Sequence, residues 1–339
     1  LVSSNVFASL NATAFNTTAQ NIAVGTLKLT QANNGIGGIT TNIGLIQPGD
    51  TQNRYVAITN GGSLAGSAMT LQIADSQTAA TISTATASAG TATFTTTAAH
   101  NFVAGQTVTI SGVTVATSYN NTNVTIAATP SSTTFTVVDA TMTGSGTGGT
   151  ATPLSTLTSD ATNGLKITAY SCSVAWVATT GVCSGTISPL FSPSISITAI
   201  AASAGTVTYT AANSLAAGNV VTITGATVAA YNLQNAVVAS ASGTQFTVTS
   251  AATGATSTAI AVKAVAASAL VSAAQTLVPG SLVLTAGGTT NVQLSMYLPS
   301  TLAETTINGA LPATTLQGAV GSIKWTFTEA QVAGTTTNS

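Results

Sequence analysis

Charge is what this chain has least of. Of its 339 residues only 3% are charged, against roughly a quarter in an ordinary soluble domain. Lys28, Arg54, Lys166, Lys263 and Lys324 face Asp50, Asp75, Asp139, Asp160, Glu304 and Glu329, for a net charge of -1. Five scattered cations make no basic patch, which excludes nucleic acid as a partner. Almost no charge repulsion keeps copies apart, so self-association is the expected behaviour. No apolar run reaches the ~18 residues of a membrane span. Nor does a basic stretch precede an apolar one, so any export signal is expected to have been removed already.

Catalytic residues are scarce too. His100 is the single histidine. A Ser-His-Asp triad could use only that residue, and no serine sits in a GxSxG elbow. It reads as an ordinary loop histidine. Paired carboxylates for glycoside hydrolysis would have to come from six acids, all in turn or strand-end contexts. Asp75, Asp139 and Asp160 could ligate calcium with backbone carbonyls, but no DxDxDG loop is present. No enzyme and no cofactor is expected. Aromatics make up 5% of the chain. Trp176 and Trp325 lie inside alternating strands, where they read as core rather than as a carbohydrate platform.

There are two cysteines, Cys172 and Cys183. Val174 to Val177 and Thr180-Gly181 between them read as strand, turn, strand. Facing cysteines of such a hairpin are placed for a disulfide, which calls for an oxidising compartment and hence secretion. Two thiols and a distant His100 are too few ligands for zinc. Sequons occur at Asn11, Asn16, Asn120 and Asn123, each with Thr at the second following position. They could carry sugars in an archaeon or a eukaryote.

What remains is a chain of Ala, Thr, Ser, Gly and Val. Its first stretch, LVSSNVFASLNATAF, alternates: Val2, Ser4, Val6, Ala8, Leu10, Ala12 and Ala14, apolar but for Ser4, fall on one face, and Ser3, Asn5, Phe7, Ser9, Asn11 and Thr13, polar but for Phe7, on the other. That is a strand with one buried face. No turn precedes it to fold it back, so it completes its own sheet or a neighbour's. Further on, short alternating strands are separated by Gly, Pro and Asn turns at intervals of about eight to twelve residues. Helical periodicity is absent. The chain is expected to be all-β and of sandwich type.

Residues 81–139 and 194–249 repeat each other. Ser88-Ala89-Gly90-Thr91 matches Ser203-Ala204-Gly205-Thr206. AGQTVTISG (104–112) matches AGNVVTITG (217–225), Tyr119-Asn120 matches Tyr231-Asn232, and the segment from Phe135 to Val137 matches that from Phe246 to Val248. Both copies resemble small β modules found repeated in phage and bacterial surface proteins, which implies spacers or adhesive decorations.

With both copies set aside, the flanks join. The segments NTTAQNIAVGTLKLT (16–30), IQPGDTQNRYVAITNGGSLAGSAMTLQI (46–73), GLKITAYSCSVAW (164–176) with CSGT (183–186), and VQLSMYLPSTL (292–302) with LQGAVGSIKWTFTEAQ (316–331) resemble the TasA/camelysin-like family of secreted matrix-fibre proteins, in particular its actinobacterial members. The likeness covers a discontinuous core and neither repeat. Members usually carry more Lys, Asp and Glu, so this surface chemistry departs from the family's. No HExxH motif is present.

The expected architecture is an immunoglobulin-like or jelly-roll β-sandwich with Greek-key connectivity. Its core falls at 1–80, 151–193 and 264–339, with inserted β modules at 81–150 and 194–263. The resemblance, with the N-terminal pattern, implies a subunit of an extracellular filament, a biofilm-matrix or pilus-like fibre. Residues 1–14 would be donated as a strand to the next copy, with Val2, Val6, Ala8, Leu10 and Ala12 in its pockets. The partner is then the protein itself, with the cell surface or other matrix components as further partners. The competing expectations are a monomeric cell-surface adhesin or carbohydrate-binding β-sandwich, with 1–14 in its own sheet, and a surface-layer subunit.

Overall fold

The computed structural model of the chain describes residues 26–33, 46–75, 78–154, 156–191, 194–253, 258–277, 283–299, 316, 319 and 321–332. Three strands come first: β1 (Leu29–Asn33), β2 (Thr51–Asn60) and β3 (Thr70–Asp75). Module 1 follows with β4 (Ala80–Ser88), β5 (Thr91–Thr96), β6 (Thr107–Ser111), β7 (Asn121–Ser131), β8 (Thr134–Val138), β9 (Ser145–Thr147) and β10 (Thr150–Pro153). A helical turn, α1 (Thr156–Ser159), leads to β11 (Lys166–Cys172) and β12 (Ile187–Pro189). Module 2 holds β13 (Ser194–Ile197), β14 (Ala199–Ser203), β15 (Thr206–Thr210), β16 (Val220–Thr224), β17 (Ala236–Ser242), β18 (Gln245–Thr249) and β19 (Ala259–Lys263). The chain closes with β20 (Val265–Ala266), α2 (Ala267–Ser272), β21 (Gln275–Thr276), β22 (Thr289–Tyr297) and β23 (Ile323–Thr328). The fold is all-β.

The core is a sandwich of unequal sheets. One has the order β1-β2-β22-β11-β12, with β20 also on β11; the other is only β21-β3-β23. Alternation assigns the faces. Val56 lies opposite Val292, which lies opposite Ser171, and Leu294 lies opposite Ala169. This row meets Leu71 and Ile73 of β3 in one apolar cluster. The other face carries Thr51, Asn53 and Tyr55 beside Tyr297, Ser295 and Gln293, then Lys166, Thr168 and Tyr170. Such a polar row is ordinarily solvated, yet Thr168, Ser295 and Gln293 are buried. Module 2 lies over part of this face, with the Gln234 amide at the Ser295 hydroxyl, 3.5 Å away, and the Asn235 amide at the Thr51 hydroxyl.

Each module is a seven-stranded sheet. In module 1 the order is β10-β6-β7-β8-β5-β4-β9, and β10 returns to β4. In module 2 the order is β13-β19-β16-β17-β18-β15-β14, and its end strands β13 and β14 are consecutive in the chain. Repeated residues make repeated turns. Ala89 (φ 50°) and Gly90 (φ 77°), like Ala204 (φ 48°) and Gly205 (φ 78°), supply the two left-handed positions of a hairpin turn twisted to match its strands. The Asn120 amide bridges both backbone groups of Val113, accepting from N–H at 2.8 Å and donating to the carbonyl at 3.0 Å. Asn232 does the same to Ala226 at 2.8 and 3.0 Å. Phe94 stacks on Phe135, and Tyr209 on Phe246, at 4.9 and 5.0 Å between centroids.

Three details differ from the expectations. Helix α2 is real, although too short to show a period in sequence; it buries Ala267 and Leu270 and packs against β3. Between the cysteines only Val177 and Val182 form a bridge, because beyond Cys172 the backbone turns to hold Thr186 and β12 instead. His100 is in a loop but buried. Its Nδ1 accepts from the Phe102 N–H at 3.2 Å, as the Asn213 side chain accepts from Leu215 at 3.1 Å. Its ring stacks on Phe102. It serves as a turn acceptor with an aromatic face.

Candidate assembly site

Among the described residues the smaller core sheet has three strands, β21-β3-β23. β3 is central, and its Leu71 and Ile73 are fully covered. One side of β3 carries β21, which pairs only at Leu71 and Thr70. The other carries β23 along its full length, with Phe327 opposite Leu71 and Trp325 opposite Ile73. Ile323, Trp325 and Phe327 continue the inward row, but each is only half-buried. Among the described residues no strand pairs with the outer edge of β23. An edge of this kind offers unpaired N–H and C=O groups beside partly wet apolar surface, which is what an added strand needs.

Both ends of β23 are fixed by carboxylates. Asp75 accepts from the Ser322 N–H at 3.0 Å through Oδ1 and from the Thr158 hydroxyl through Oδ2. Glu329, just past the strand, accepts from the Leu284 N–H at 2.9 Å through Oε1, while its buried Oε2 has no partner. The Glu329 side chain lies across the bare backbone of Gly66, where a Cβ would collide with it. Gly66 in turn bridges Gln331, and the Ser67 N–H donates to the Ala330 carbonyl at 2.6 Å. Two of the six acids in the sequence thus hold one edge strand.

On the far edge of the larger sheet, Cys172 and Cys183 form a disulfide with Cα atoms 6.0 Å apart. It closes a loop that lays Trp176 against Tyr55, 5.7 Å between ring centroids, with the indole N–H donating to the Asn291 carbonyl at 3.0 Å. Both tryptophans contact the core, but only Trp176 is buried. Val174, Val177, Val182 and Ile187 around this loop are exposed.

The remaining ionisable groups are braced rather than poised for chemistry. Burial alone would raise Asp160, but N–H groups of Asn163 and Thr162, the Asn163 amide and the nearby Lys166 charge together hold it below the usual range. Burial lowers Lys166, opposed by Asp160, and its ammonium donates to the Ala161 carbonyl. Burial also pushes the Tyr170 hydroxyl, which faces Thr222 of module 2, up to about 12. Asp139 and Asp160 each cap a turn, while Asp75 holds the start of β23. Among the described residues no three His, Cys, Asp or Glu side chains gather to hold a metal ion. Among the same residues no helix is long and apolar enough to cross a membrane.

Of the sites named from sequence, Val2, Val6, Ala8, Leu10 and Ala12, with Asn11 and Asn16, lie outside the described residues. Asn120 is the turn brace of module 1, a role its partner Asn232 plays without any sequon. Asn123 sits at the start of β7 in a left-handed backbone conformation (φ 55°). The β23 edge escaped sequence reading, although SIKWTFTEA alternates plainly; alternation shows that one face is covered, not that a pairing edge is open. No family model matches the chain, and no curated protein matches it.

Proposed function

We propose that this protein is the structural subunit of an extracellular filament, joined by a strand that each copy donates to the next. The observation that carries this reading is the outer edge of β23, with which no strand pairs among the described residues, beside half-buried Ile323, Trp325 and Phe327. The donor is residues 1–14, whose Val2, Val6, Ala8, Leu10 and Ala12 form the apolar face that such an edge would cover. Pairing along the six residues of β23 gives about six ladder hydrogen bonds, each worth roughly 1 kcal/mol net. Apolar burial adds about 25 cal/mol per Å². The joint would dissociate very slowly. Scarce charge, the disulfide and the likeness to TasA/camelysin-like fibre proteins all agree with a secreted homopolymer.

The test compares the full chain with one lacking residues 1–14, by electron microscopy and light scattering. The truncated chain should stay dispersed and should bind a synthetic peptide of residues 1–14. Leu10→Asp should block assembly by placing an unpaired carboxylate in an apolar groove, a cost of several kcal/mol, whereas Ser9→Asp should not. Filaments formed by the truncated chain would sink the mechanism. A full chain that stays monomeric at every concentration, and loses stability on truncation, would mean that residues 1–14 complete their own sheet.

A further inference from the structure

Module 2 shows how the shared fold uses one particular asparagine. Asn235 sits in a left-handed conformation (φ 52°), and its amide donates to the Thr51 hydroxyl of the core at 2.8 Å. β6–β7 pairing sets Val108 opposite Val124, and β16–β17 pairing sets Val221 opposite Ala236. That register makes Asn123 (φ 55°) the counterpart of Asn235. A left-handed asparagine costs conformational energy. In module 1 no hydroxyl of the described chain meets it.

Beside Asn123 lies an open groove of about 430 Å³, lined among others by Asn121, Thr122, Thr125, Val138 and Asp139. Here module 1 departs from its twin: Asn121 stands where module 2 has Leu233, and Asp139 where it has Ser250. Asp139 Oδ1 is committed to the Thr141 N–H at 2.9 Å and the Thr141 hydroxyl at 2.6 Å. Oδ2 takes only the Asn121 amide, at 3.3 Å, and keeps capacity for a second donor. The Thr141 hydroxyl, then its N–H, and the Asn121 amide hold this carboxyl below its usual range, so it is ionised at neutral pH. Val138, 71% exposed, gives the groove an apolar rim.

We propose that this groove of module 1 binds a neutral polyhydroxylated ligand, a glycan chain. Vicinal hydroxyls of a sugar would donate to Asp139 Oδ2 and accept from the Asn123 amide, while a C–H face rests on Val138. The counterpart amide already shows the chemistry, since what it holds is a hydroxyl. A second copy of this chain is the less fitting occupant. Module 2 docks on a sheet with Val220 and Val237 against Tyr297, and module 1 has Thr107 and Thr125 at those positions. The flat apolar contact is therefore missing, while the concave polar surface beside it is gained.

The experiment titrates the full chain with dextran, mannan, cello-oligosaccharides and chito-oligosaccharides on a glycan array, with calorimetry on the best probe. Asn123→Gly keeps the backbone conformation and removes the amide; Asp139→Asn keeps the turn cap and removes the charge. Each should weaken binding about tenfold, the scale of one hydrogen bond lost, while Asn235→Gly leaves binding unchanged. Filament formation should be the same for all three variants, so this site stands or falls separately from the strand-donated joint. No binding to any probe, or binding insensitive to both module 1 variants, would overturn the proposal. So would Asn123→Gly reducing self-association without any glycan being bound, which would identify a second copy as the occupant.

Discussion

Modules 1 and 2 share the order of six matching strands, β10-β6-β7-β8-β5-β4 against β19-β16-β17-β18-β15-β14, with the same Ala-Gly hairpin turn, the same asparagine brace and a stacked aromatic pair at the same positions. They differ in what lies outside. The core cluster of module 1 is made of its own residues alone. Module 2 has a second, small cluster in which Val220 and Val237 meet Ala264 and Tyr297, and Asn235 and Gln234 reach Thr51 and Ser295. Internal positions kept an apolar or aromatic character rather than their identity, with Phe94 matched by Tyr209, Phe102 by Leu215 and Val113 by Ala226, and a few outward ones decided which copy became part of the core's own packing. Burial of the polar sheet face beneath module 2 has a cost as well. Asn53 Oδ1 and Thr168 Oγ1, in one row with Ser295, have no partner there. A buried polar atom in that condition is normally met by an ordered water.

The strongest way to break this comparison is deletion. Replacing residues 194–263 by a short Gly-Ser linker should lower the melting temperature of the remaining core by several degrees, since it uncovers Tyr297, Ser295 and Thr168. Replacing 81–150 the same way should leave the core transition where it was. Equal shifts, followed by calorimetry, would show that module 2 is as detached as module 1.

A smaller effect tests the sameness of the pair. Asn120→Ala and Asn232→Ala each remove two hydrogen bonds to a turn backbone and should each cost their own module about 1–3 kcal/mol. Urea titration of the single mutants should give matching losses. A loss in one module only would mean that the brace is replaceable in the other.

Smaller again is the exchange of the docking residues. Val220→Thr with Val237→Thr gives module 2 the module 1 pattern. It should weaken docking by about 1–2 kcal/mol through lost apolar burial, and leave the module folded. Amide hydrogen exchange at Ser295 and Thr168 would rise, while exchange inside β15 and β18 would not. Unchanged protection at the sheet face would make the hydrogen bonds of Asn235 and Gln234 sufficient by themselves.

The smallest difference is in acid. The Asp139 carboxyl is held below its usual range in the folded module, so its contribution is present above the ordinary carboxylate pKa and is lost as pH falls through the lowered one. Ser250, its counterpart, does not titrate. Module 1 should therefore lose stability relative to module 2 on acidification below about pH 4. Asp139→Ser should remove the difference, and parallel melting curves for wild type and variant would refute it.

Much of this was legible in the sequence, for physical reasons that differ by region. The repeated turns were readable because Ala-Gly and Tyr-Asn act locally, each fixing a few backbone groups within its own hairpin or loop. The cysteine pair was readable from its spacing. Lys166 to Cys172 was not: KITAYSC alternates like a strand with one wet face, and nothing local says that a module encoded downstream of it will cover that face. The β23 edge was hidden for a similar reason, since which strands flank it depends on distant parts of the chain. Helix α2 is held by packing against β3 rather than by any periodicity of its own.

Strand β2 and strand β22 are neighbours in one sheet, with Thr51 opposite Tyr297. Most of the polypeptide therefore separates two strands that must zip together. Closing so long a loop from an unstructured chain is slow, because the entropy lost has no early contacts to offset it. Each module has its first and last strands in contact, Ala80 opposite Ala151 and Ser194 opposite Val262. Once a module has folded, its entry and exit lie side by side, and the distance left for the core to search shrinks to the segments between. On a chain emerging from the ribosome, the modules would be the parts that fold while the core waits for β22. Their paired ends would then serve time as well as space, turning a long wait for a distant partner into a few short ones.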